Sequence, residues 1–145
     1  MAKTTTATMR RTGTGFGPLQ ISITILVAAT ALVHLYLGAT LLSALIGGSA
    51  PAAGVGGTSM TAILGVLFLC NFGGYVLLNV ALYLPMLRRF QGITRALLIG
   101  FTAVTFVAYF AVQRDHALNP FGLADKAIEA TLIVLLIIEG RRARV

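Results

Sequence analysis

The chain is poor in the residues from which most reaction centres are built: 145 residues include one cysteine, two histidines, four carboxylates and no tryptophan. With Cys70 alone there is no internal disulfide, no paired-cysteine redox centre and no thiolate metal cluster, and inside its apolar run it reads as a small packing residue. A bis-histidine haem site needs two imidazoles on facing helices, and His116 falls in an expected outer loop. A single His34 ligand to haem or pigment is the one tetrapyrrole option left open. No Gly-rich phosphate loop, nucleophile elbow or HExxH sequence occurs. The residues thus point to a protein that is not an enzyme and holds no cofactor.

Charge is scarce as well. Only 10% of residues are charged and 57% are hydrophobic, against the roughly 25% charged residues of a soluble domain. Residues 12–87 contain no Lys, Arg, Asp or Glu, and neither do residues 96–113. Runs of that length cross a bilayer, so the composition predicts an integral membrane protein with room for four crossings.

Residues 1–17 are Thr-rich and basic, with too little apolar surface to fold alone, and read as a flexible tail. The first helix is expected over about residues 19–45. Its basic flank and the small pair Ala29 and Ala31 imitate a signal peptide, but a run of about 40 Å of helix is too long for an h-region of about 7 to 15 residues. The uncharged Gly, Ala, Pro and Ser stretch IGGSAPAAGVGGT (46–58) reads as an outer loop. A second helix is expected over 61–84, stopped by Pro85, with Gly73 and Gly74 permitting close approach of a neighbour. A third follows over 93–112 and a fourth over 120–138. Asn119 and Pro120 are placed to start the fourth helix and Gly140 to end it, ahead of a basic tail over 140–145.

The net charge of +7 raises the question of nucleic acid. Nine of the eleven basic residues lie in the N-terminal tail, the loop between the second and third runs and the C-terminal tail; only Arg114 and Lys126 lie elsewhere. Four crossings put those three regions on one side, which by the positive-inside rule is the cytoplasm. Short clusters at membrane borders without interleaved aromatics predict contact with anionic lipid, not nucleic acid.

The fourth helix breaks the pattern, because Asp125, Lys126 and Glu129 sit in its first three turns. Each charge costs about 2.5 to 3.5 kcal/mol at the centre of a membrane helix, so compensation is required. Counted from the outer helix ends at about 1.5 Å per residue, His34 lies about 18 Å deep, Asn71 and Thr102 about 15 Å, and Glu129 about 14 Å. Each helix thus places one polar residue in the same layer. One reading is a proton- or ligand-binding site; the other is a set of interhelical hydrogen bonds that holds the bundle together, with about 1 kcal/mol per contact. Within this layer His34 is expected to face Glu129, while Lys126 at i, i+3 is an alternative partner for that carboxylate. Asp125 and Lys126 are expected nearer the outer interface, hydrated or snorkelling. Tyr36, Tyr75, Tyr83 and Tyr109 are expected as interface or packing residues.

The segments VHLYLG (33–38) and FGLADKAIEATLIVLL (121–136) resemble a family of small four-helix membrane proteins found mainly in haloarchaea. That resemblance implies the four-helix fold and transfers no site residue. The sequence as a whole predicts an all-α, up-down bundle of four transmembrane helices in the cell membrane, with both termini cytoplasmic. Two functions fit: a non-catalytic accessory or structural subunit of a membrane complex, or a small proton-coupled transporter that works as a homo-oligomer.

Overall fold

A computed structural model describes residues 17–48, 57–112 and 120–143, and these are all helix apart from short connections and ends. The four helices are α1 (Pro18–Ile46), α2 (Gly57–Tyr83), α3 (Gln91–Val112) and α4 (Pro120–Arg142), with a 3-10 helix over Pro85–Phe90 joining α2 to α3. Most of the expected tails and of the two outer loops lies outside the described residues.

Local chemistry accounts for the helix boundaries that can be seen. Pro18 opens α1 behind Gly17, whose backbone N–H donates to the Gln20 side chain at 3.0 Å and so fills one of the vacant bonds at a helix start. Pro85 lacks the N–H that would continue α2, and the chain turns there into the 3-10 segment. Gly140 does not end α4, which runs on to Arg142. Its place against the aliphatic part of Arg95 leaves little room for a side chain, a packing reason for glycine inside the helix.

The helices form a ring in which α1 and α3 each pack on α2 and α4. Neighbours run antiparallel. Gly38 on α1 lies against Gly65 and Leu69 on α2, whereas Thr24, near the start of α1, shares a groove with Asn79, near the end of α2. On the other side of the ring, Gly122 lies against Tyr109 and Gly140 against Arg95. At Gly38 an added Cβ would stand 2.9 Å from Leu69 and 3.0 Å from the Gly65 carbonyl, so the α1–α2 crossing is set by the lack of a side chain.

Burial is inverted with respect to a soluble bundle. Leu77, Leu32 and Ile25 are more than 60% exposed, while Thr30, Thr102 and Glu129 are completely buried. Water would not tolerate that outer surface over a whole molecule, and lipid favours it. Three helices, Pro18–Ile46, Ser59–Tyr83 and Pro85–Ala111, are long and apolar enough to cross a membrane. At 23 residues α4 is somewhat shorter than these, and its apolar run is interrupted by Asp125, Lys126, Glu129 and Glu139, all buried.

Candidate functional site: a buried charge cluster

Helical periodicity puts Asp125, Lys126, Glu129, Leu132, Leu136 and Glu139 on the buried stripe of α4, and Thr30 and His34 one turn apart on the buried stripe of α1. Where these stripes meet α2 and α3, every charge has a partner. The Lys126 ammonium is ion-paired with Asp125 Oδ2 at 3.1 Å and donates to Glu129 Oε2 at 2.5 Å. Thr30 donates to the other oxygen of Asp125 at 2.7 Å. Glu129 Oε1 accepts from the Tyr75 hydroxyl at 3.1 Å and from Thr105 at 3.0 Å. One carboxylate is thereby tied to α1 and the other to α2 and α3.

The hydroxyl pair adds a further property. Tyr75 and Thr105 lie 2.8 Å apart, and Thr105 is also 2.9 Å from the Thr102 carbonyl. Two hydroxyl hydrogens serve Glu129, that carbonyl and each other, so the network has more than one arrangement of hydrogens around the same heavy atoms.

His34 closes the site from α1. Its Nδ1 lies 2.8 Å from the Thr30 carbonyl, which can only accept, so Nδ1 carries the hydrogen and Nε2 is left as an acceptor. Tyr75 and Phe68 wall the ring at centroid distances of 5.5 and 5.7 Å. A ring nitrogen of His34 and a carboxylate oxygen from each of Asp125 and Glu129 lie within 4.8 Å of one another. One imidazole and two carboxylates also suit a divalent metal by donor type. Here, however, Lys126 already bonds both carboxylates and is the resident cation, so a metal could enter only by displacing it.

The site differs from the sequence-level layer in membership. His34 and Glu129 do come together, but the ion pair of Glu129 is with Lys126, and among the described residues none joins it to His34. Asp125 and Lys126, expected to be hydrated, are each only 5% exposed and form the centre of the cluster. Thr102 is fully buried, but its hydroxyl bonds back to the Leu98 carbonyl at 2.8 Å, so it supports Thr105 and does not touch the carboxylate. Asn71 is half-buried on α2 and takes no part. Thr30, Thr105 and Tyr75 were missed. Tyr75 had a legible signal in its position one helical turn after Asn71, on the α2 face that carries the layer.

No family model, curated protein or solved structure matches the chain. The fold and the site therefore define its class: over the described residues, a helical protein with three membrane-length apolar helices and a cluster of charges buried between them.

Proposed function

We propose that the chain is a small proton-coupled carrier of the cell membrane that works as an oligomer, with α4 as a fourth crossing and both termini cytoplasmic. The observation that carries this reading is the charge count of the cluster. Two carboxylates face one ammonium, so the site is one positive charge short at a depth where an uncompensated charge is expensive. A proton shared among His34, Asp125 and Glu129 supplies the missing charge, and the mobile hydrogens of Tyr75 and Thr105 let it be taken up and released. Apolar side chains would hold four helices together at lower cost, so a packing role alone does not explain three buried charges. The basic residues at the three loop and tail positions on one side support the orientation. Four helices of this size barely enclose a path alone, which supports an oligomer.

The test is potential-driven proton uptake into vesicles that contain the purified chain and an internal pH dye. Wild type should acidify the vesicles faster than empty ones do, and Glu129→Gln should abolish the difference; wild-type uptake no faster than in empty vesicles overturns the proposal. A second reading, a non-catalytic accessory subunit, draws on Gly92, Ala96 and Gly100, which lie exposed one turn apart on α3, with open space at both glycines. Foreign subunits that co-purify in mild detergent would favour it, and a lone homo-oligomer the carrier.

A further inference from the structure

Ten residues beyond Glu129, the seam of the bundle contains a second carboxylate site built on the same plan. Glu139 is 8% exposed, accepts from Arg95 Nε on α3 at 3.1 Å and from the Tyr83 hydroxyl on α2 at 3.4 Å. Glu129 likewise takes a tyrosine from α2 and a side chain from α3, and each carboxylate has one basic partner. The duplication follows from helix geometry: Glu129 and Glu139, like Arg95 and Thr105, are ten residues or nearly three turns apart, so the two layers recur along one seam about 15 Å apart.

Between the layers the seam is apolar. Leu82 on α2, Leu98 on α3, and Leu132 and Leu136 on α4 are all completely buried there. A stripe that runs polar, apolar, polar is more than packing requires, because a buried ion pair can usually be replaced by apolar side chains without loss of stability.

We infer that the seam of α2, α3 and α4 is the route by which the proton crosses, with Glu139 as its inner proton-binding station and the four leucines as the barrier between stations. This inference rests on the carrier reading above. A proton released from the Asp125, Lys126 and Glu129 cluster passes as a hydrated proton through water admitted between the leucines. The Glu139 carboxylate then accepts it and its ion pair with Arg95 breaks. Release of the proton to the inner water restores the pair, so one O–H bond forms and one breaks, and nothing is oxidised or reduced. Tyr83 and Arg95 are the titratable and charged groups that face Glu139, and exposed Arg141 and Arg142 follow it on α4. While the leucine layer stays dry it prevents a leak, as hydrophobic constrictions do in channels.

Two variants of the full chain test this in the vesicle assay. Glu139→Gln should lower proton uptake by about tenfold or more, while the pH-dependent infrared bands of the outer cluster stay as in wild type. Leu136→Ser touches neither station and should raise proton leak several-fold by wetting the barrier, which keeps the inference testable if loss of the Arg95 pair harms folding. If both variants conduct within about twofold of wild type while Glu129→Gln abolishes uptake, the inner station is wrong and the carrier reading stands. If Glu129→Gln also conducts normally, the carrier reading itself fails.

Discussion

Replacing Lys126 by Met keeps the length of the side chain and removes the one cation of the cluster. The ammonium bonds both carboxylates, at 3.1 and 2.5 Å, and its side chain is 6% exposed, so water cannot take its place without opening the bundle. Removing one partner from a buried ion pair costs about 3 to 5 kcal/mol. Here the substitution leaves two carboxylates facing one another, which puts the expectation at the upper end of that range. Thermal unfolding of the purified protein in detergent should show the loss as a fall in Tm of about 10 °C, at a few degrees per kcal/mol for a chain of this size. The triple change Asp125→Asn, Lys126→Met, Glu129→Gln removes all the charges together and should regain most of that fall. A Lys126→Met protein that melts with wild type would refute the reasoning, since the carboxylates could not then depend on this ammonium.

Double-mutant cycles should assign Glu129 to its partner: coupling of about 2 kcal/mol or more with Lys126 and much less with His34, read from denaturant unfolding; the reverse order would mean that the geometry misplaces the pair. Gly38→Ala should destabilise by about 1 to 3 kcal/mol because its Cβ meets Leu69 and the Gly65 carbonyl at 2.9 and 3.0 Å. Gly73→Ala on the neighbouring helix, where nothing lies within 4 Å, should be neutral or mildly stabilising in the same melts. For topology, a cysteine at Ala53 in a Cys70→Ala background should be labelled only from outside, and tags at either terminus should be reached only from the cytoplasm; outside labelling of a C-terminal tag would overturn the orientation.

How much of this was legible follows from what kind of signal each feature leaves. Four helices could be read because uncharged runs separated by Pro, Gly and basic clusters need no knowledge of tertiary contacts. That Glu129 and His34 come to one level could be read by counting residues, because a helix rises by a fixed amount. Membership of the cluster could not. Asp125 and Lys126 looked hydrated on a count from the helix start, yet the stripe on which they fall faces Thr30 of α1, and that contact depends on how α4 is rotated. Tyr75 looked like a packing residue because a tyrosine in a membrane helix usually is one, and only the approach of α4 brings Glu129 to its hydroxyl. Thr102 shows the opposite case: it is buried between the helices, but its hydroxyl turns back to Leu98 within its own helix.

The central claim is that the cluster around Lys126 takes up one exchangeable proton, and infrared difference spectroscopy on the protein in lipid tests it most directly, because carboxyl and imidazole bands report separately. Stepping the pH across the range from about 5 to 8, in which an imidazole exchanges its proton, should give a reversible signal equivalent to one proton per chain. That signal should move to different bands in His34→Gln and Asp125→Asn and disappear in Glu129→Gln. A wild-type spectrum with no reversible carboxyl or imidazole change from the membrane helices would contradict the account, since the buried charges would then be fixed and the cluster would serve only to hold the helices together.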